Sequence, residues 1–174
     1  MRKDHALETF EAIRTILAVR AYQDKPIPDE IVHEIVEAAH LTASSINGQP
    51  WRFVVVQEPA TLRQLGALAR SGPYIAQAPL AVAVATVESP YGVSDASRAI
   101  QSMMLAAWSH GVGSNWVGFH NLDDMKPVLS IPADMDLLAI VPFGYPASPV
   151  GKGNKKRLPL GEVVFSERYG QPYQ

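Results

Sequence analysis

A chain of 174 residues, 47% hydrophobic and 18% charged, is long enough for one domain with a sizeable core, and its composition is that of an ordinary soluble protein. Its formal net charge of −2 argues against a general nucleic-acid binder, which needs a basic excess. The absence of cysteine removes disulfides, thiolate nucleophiles and cysteine-ligated zinc, and is compatible with a cytoplasmic protein.

Residues Met1–Thr9 carry Arg2, Lys3, Asp4 and His5 with no apolar run behind them, so no signal peptide is read there. Leu7, Phe10, Ile13 and Leu17 recur at spacings of three and four and predict a helix over about 6–18 with one apolar face; Arg14 and Arg20 flank its end. Lys25-Pro26-Ile27-Pro28 breaks that helix, and Asp29-Glu30 opens the next with acidic residues in its first turn. Ile31, Ile35, Ala38 and Thr42 are expected on its inner face.

The stretch from Thr42 to Gln57 changes character halfway. Ser44, Ser45, Asn47 and Gln49 lie in a small, polar segment with an Asn-Gly turn signal, and Phe53–Val56 is β-branched and aromatic, as in a buried strand over 52–57. Hydroxyls and carboxamides at the edge of a core exchange hydrogen bonds without carrying charge, which suits a flat heteroaromatic ligand; the same residues also suit a turn that satisfies its own backbone.

Glu58-Pro59 starts a short helix with Leu62, Leu65 and Leu68 facing inward. Pro79–Val87 is a continuous apolar run, read as a second buried strand and far short of the ~20 residues that cross a bilayer. No membrane partner is expected. A loop over Glu88–Ser94 leads to a long helix over Asp95–His110, stopped by Gly111. Gly113–Phe119 is an extended segment with two glycines, where backbone can approach a ligand or other backbone closely. A short helix over 122–129, a buried strand over 137–145 and a basic, turn-rich tail from Val150 with an apolar patch at Val163–Phe165 complete the pattern.

No metal or hydrolase constellation emerges. His33 and His40 are seven residues apart, too far for an i, i+4 metal pair, and His5, His110 and His120 read as surface or capping residues. Gly111-Val112-Gly113-Ser114 lacks both the trailing glycine of a nucleophile elbow and the third glycine of a dinucleotide fingerprint. Trp108 reads as packing, whereas Trp116, between asparagine and glycine neighbours, is open to packing or to stacking on a ring.

Four pieces in order, Ser-Ser-x-Asn-x-Gln-Pro-Trp-x-Phe at 44–53, the glycine-serine segment after a long Ala-rich helix, Phe-Gly-Tyr-Pro at 143–146 and Lys-x-Arg-x-Pro-Leu at 155–160, resemble the FMN-dependent nitroreductase family over residues 10–165. The resemblance implies an α+β fold with a central, mostly antiparallel sheet of four or five strands flanked by helices, and an intertwined homodimer with FMN at the interface. Helix–strand alternation alone points instead to a parallel sheet.

The resemblance also implies residue roles. The family's Arg-x-Ser-x-(Arg/Lys) phosphate motif falls on Ile16-Leu17-Ala18-Val19-Arg20, where only Arg20 matches; Arg14 is the candidate substitute. Each missing charge-assisted hydrogen bond is worth roughly 1.5–3 kcal/mol. Ser44, Ser45, Asn47 and Gln49 fall at the ring and ribityl chain, Asn115, Trp116, Val117 and Gly118 over the ring and at N5, and Lys155 and Arg157 at the phosphate. The implied activity is ping-pong hydride transfer from NADH or NADPH through the flavin to a small electron-poor acceptor, a nitroaromatic or quinone. Alternatives are a flavin-storing or sensing protein without turnover, and a reductive dehalogenase.

Overall fold

The computed structural model describes residues 9–118, 120–151 and 155–173; the expected helical residues 6–8, Phe119 and Lys152 lie outside them. In chain order the elements are α1 (Thr9–Thr15), α2 (Asp29–His40), β1 (Trp51–Val56), α3 (Pro59–Leu68), β2 (Leu80–Thr86), α4 (Gly92–Ser109), β3 (Gly113–Ser114), β4 (Asp136–Gly144) and α5 (Leu160–Val163). Among the described residues the strands form one sheet in the order β1-β2-β4-β3, every neighbouring pair antiparallel. The fold is α+β, as the resemblance implied.

A single helix between β1 and β2 would make them parallel. Here α3 is followed by a 3-10 turn, Pro73–Gln77, that packs back on it and returns the chain to the end of the sheet that β1 leaves. Gly66 makes this hairpin possible, since a Cβ there would lie 2.7 Å from the Ala76 Cβ.

The continuous apolar run of β2 is buried on both faces. Leu80, Val82 and Val84 pack with Val32, Ile35 and Ala39 of α2 and Ala96, Ile100 and Met103 of α4; Ala81, Ala83 and Ala85 pack with Leu62 and Leu65 of α3, Ile75 and Met125. Val84 pairs with Ala139 and Ala85 with Leu137, so Leu138 is an extra residue that bulges β4.

Several local expectations are corrected. The first helix ends at Thr15 instead of continuing to 18, because the Val19 amide donates to the Ser114 carbonyl and draws Ile16–Val19 out alongside β3. Its apolar face is not buried in this chain: Phe10 is 75% exposed and Ile13 48%, and the helix rests on Ala12. On α2 the expected Ile35 is buried and Ile31 packs against the core, but the other buried positions are Val32 and Ala39 in place of Ala38 and Thr42. Leu68 is exposed at the end of α3, and 122–129 is two 3-10 turns, Asp123–Met125 and Pro127–Leu129, broken by Pro127. No helix among the described residues is long and apolar enough to cross a membrane.

Candidate functional site

The residues expected at the site gather in two places. The first is at the C-terminal end of α4. Trp108 is buried, and its Nε1 donates at 2.9 Å to Thr15 Oγ1, whose hydroxyl donates to the Glu11 carbonyl at 2.7 Å; this fixes the end of α1. Lys155 Nζ donates at 2.5 Å to the carbonyl of Ile13, which brings the tail back to the same helix end, with Arg157 near enough for its charge to act on Lys155. Desolvation, and secondarily the charge of Arg157, push the Lys155 ammonium below its ordinary pKa. Arg14 points at Glu11, with Nε 2.8 Å and Nη2 2.6 Å from its carboxylate oxygens, and the Arg14 hydrogen bond holds the Glu11 carboxyl below its usual range.

Beyond the extended segment, Arg20 is exposed. Tyr22 is buried, and its hydroxyl donates to the Val19 carbonyl at 2.8 Å; burial, then the neighbouring Tyr74, push it well above its ordinary pKa, and the Arg20 charge works against them. Asn115 is buried and donates from Nδ2 to the Tyr74 hydroxyl. Val117 exchanges backbone hydrogen bonds of 3.0 and 2.9 Å with Ile140, so 115–118 runs along β4 toward its bulge. A Cβ at Gly118 would lie 2.7 Å from the Leu138 carbonyl oxygen and 2.5 Å from Trp116 Nε1, so only glycine fits there. A cavity of about 280 Å³ lined by Glu11, Thr15, Trp108, Ser109, Gly111 and Val150 opens between the ends of α1 and α4.

The second place is the loop Ser44–Gln49, at the N-terminal end of α4. A 3-10 turn covers Ser45–Asn47, and Ile46, Asn47 and Gln49 take left-handed φ values of 50°, 55° and 45°. Ser44 Oγ accepts from the Gln49 amide at 3.0 Å, while Gln49 Nε2 donates to the carbonyl and Oδ1 of Asn47, both at 3.3 Å. Ser45 points the other way. Its amide donates at 3.0 Å and its hydroxyl at 2.9 Å to the carboxylate of Asp95, which is 1% exposed and ion-paired with Arg98; Arg98 Nη2 also donates to Ser45 Oγ at 3.1 Å.

Sequence reasoning misses Asp95 and Arg98. Their i, i+3 spacing in the first turns of a helix is a signal, but it reads as a dipole-friendly surface pair, and nothing local joins it to a loop fifty residues earlier. From Asp95 to Trp108 along α4 is about 20 Å at 1.5 Å per residue, so the cationic group and the polar loop of one chain lie at opposite ends of the long helix. A larger cavity of about 570 Å³, lined by residues that include Tyr22, Lys25, Gln57, Arg63 and Gln77, contains none of the expected contacts.

A family model described as the nitroreductase family matches residues 14–89 and 73–145. A protein of Methanothermobacter thermautotrophicus carrying the assignment NADH dehydrogenase/NAD(P)H nitroreductase is 32% identical over 83% of this chain and 81% of its own length. An FMN reductase [NAD(P)H] of Bacillus subtilis is 27% identical over 93% of this chain and 74% of its own. Among solved structures, an FMN-dependent nitroreductase from Clostridium difficile superposes with a TM-score of 0.76 at 25% identity, covering 80% of this chain and 88% of that one.

Proposed function

The chain belongs to the nitroreductase family, and on that premise we propose that it is an FMN-dependent oxidoreductase that uses NADH or NADPH to reduce electron-poor acceptors such as nitroaromatics and quinones. The observation that carries the reading furthest is the docking of Lys155 on the Ile13 carbonyl, which sets Lys155 and the nearby Arg157 at the end of α1, while the uncharged groups of Ser44, Asn47 and Gln49 stand in the loop at the N-terminal end of α4. Cations for a phosphate and neutral donors and acceptors for a ring and a polyol are the donor set that FMN requires, so these residues fit the group.

In this reading Lys155, Arg157 and Arg20 hold the phosphate, with Arg14 joining them when it leaves Glu11. Asn115–Gly118 lies against the ring, and Ser44, Asn47 and Gln49 supply hydrogen bonds to ring or ribityl chain. When bound, FMN supplies the hydride chemistry between nicotinamide donor and acceptor. The protein's part is to fix the cofactor, keep charged groups off the ring and leave one face accessible. The connection from β2 to α4 is short, leaving no long lid there, which favours an open pocket and a broad acceptor range.

The separation of the two groups along α4 favours a site shared by two copies of the chain, the loop of one meeting the cationic end of the other. The exposed Phe10 and Ile13 on α1, and Leu158 and Leu160 at 65% and 61% exposure in the tail, are the apolar surface such a homodimer would cover. A second reading, flavin storage without turnover, draws on Ile16 and Ala18 in the phosphate motif and on the Glu11 partner of Arg14. Steady-state oxidation of NADH and NADPH by FMN-loaded protein, with a nitroaromatic or quinone present, separates the two. Turnover above the rate of free FMN supports the oxidoreductase, and its absence with both donors leaves storage.

A further inference from the structure

The loop that the proposed reading sets against FMN has a conformation that its own sequence disfavours. Ile46 is β-branched and sits at φ 50°, with Asn47 at 55° and Gln49 at 45°. Asn47 adopts left-handed backbone readily, but it costs roughly 1–2 kcal/mol at an ordinary residue such as Gln49 and most at the β-branched Ile46, so a contact from outside the loop helps to hold it. Among the described residues, the charged groups that reach this loop from a distant element are the Asp95–Arg98 pair of α4. The Asp95 carboxylate, 1% exposed, takes the Ser45 amide at 3.0 Å, the Ser45 hydroxyl at 2.9 Å and the Arg98 guanidinium. A buried carboxylate persists only when paired and hydrogen-bonded, and these three donors meet that demand.

Ser45 is fully engaged by this pair. Its single hydroxyl proton goes to Asp95, and its oxygen accepts from Arg98 at 3.1 Å, so it has no proton left for a ligand. The groups still available are the Ser44 hydroxyl proton, the Asn47 carboxamide N–H pair and the Gln49 carboxamide oxygen. We propose that Asp95, resting on the FMN reading above, is the positioning residue of this loop. It acts through Ser45, which is thereby an internal strut and not a flavin contact, and Arg98 neutralises it.

The test measures three things on wild type, Asp95→Asn and, as control, Ile100→Val in the core of the same helix. These are the FMN Kd by fluorescence quenching, amide exchange of residues 44–49, and thermal stability. Asp95→Asn replaces a double acceptor by a group with one acceptor and an N–H pair facing the donors of Ser45 and Arg98. It should weaken FMN by about tenfold or more and speed exchange at Ser45, while Ile100→Val lowers stability with Kd unchanged. Asp95→Asn with wild-type Kd and exchange overturns the inference, as does an equal loss of affinity in Ile100→Val. Should Asp95→Asn not fold, Arg98→Met, on an exposed side chain, tests the same strut: a Kd raised about threefold with faster Ser45 exchange supports it, and no change in either overturns it. Wild type that binds no FMN overturns the underlying reading instead, and the inference with it.

Discussion

On the proposed reading, Lys155 and Glu11, two charged side chains at α1, set how strongly the chain holds the FMN phosphate. Lys155 is already oriented by the Ile13 carbonyl, so Lys155→Ala should raise the FMN Kd by about tenfold or more, the scale of one charge-assisted hydrogen bond, with little change in melting temperature. Glu11 acts in the opposite sense, because its carboxylate occupies the Arg14 guanidinium. Glu11→Gln should tighten FMN binding a few-fold at low salt, an advantage that shrinks in high salt; unchanged affinity in both variants would refute the phosphate assignment. Tyr22 carries a pH signature. Its folded-state pKa is raised chiefly by burial, so its contribution to stability is fully present below the ordinary tyrosine value of about 10 and is lost as pH rises beyond it. Tyr22→Phe should therefore flatten the alkaline limb of a melting-temperature profile while losing roughly 1 kcal/mol near neutrality with the bond to Val19, which circular dichroism across pH can read.

At the scale of elements, the segment 115–118 depends on a glycine facing the β4 bulge. Gly118→Ala would force a Cβ against the Leu138 carbonyl, and a destabilisation of about 1–3 kcal/mol by urea unfolding, with weaker FMN binding, is expected. The elements legible in the sequence are those whose signal is complete within them. The run Leu80–Ala85 is apolar on both faces because both are covered, and the helix expected over Asp95–His110 is found as Gly92–Ser109, beginning three residues earlier, within the expected Glu88–Ser94 loop. Where the partner is remote, local pattern fails. The stripe Phe10, Ile13 and Leu17 has the spacing of a face turned to this chain's core, yet Phe10 and Ile13 are exposed, since periodicity tells which residues share a face and not what covers it. Ile16–Ala18 continues the helical pattern in sequence and leaves it in the fold, because the pairing of Val19 with Ser114 has no local signature. Residue types in the Ser44–Gln49 loop are legible as neutral hydrogen-bonders, but the inward turn of Ser45 to Asp95 is not, as fifty residues separate them.

For the whole molecule, the antiparallel character of the sheet is accessible through motif resemblance and not through helix–strand alternation, which takes no account of a helix doubled back by a 3-10 turn; the strand order β1-β2-β4-β3 is read from neither. The arrangement sets the polar loop and the cationic tail at opposite ends of α4, so a dimer is expected: light scattering at micromolar concentration should give twice the mass of a 174-residue chain, and a monomer would contradict a shared site. Flavin binding is tested most simply by the visible absorption spectrum of the purified protein, before and after FMN is added and excess removed by desalting. Flavin bands that survive desalting are the predicted result. A colourless protein that does not retain added FMN would contradict the claim, because the cations at the end of α1 and the loop at Ser44–Gln49 would then hold no flavin.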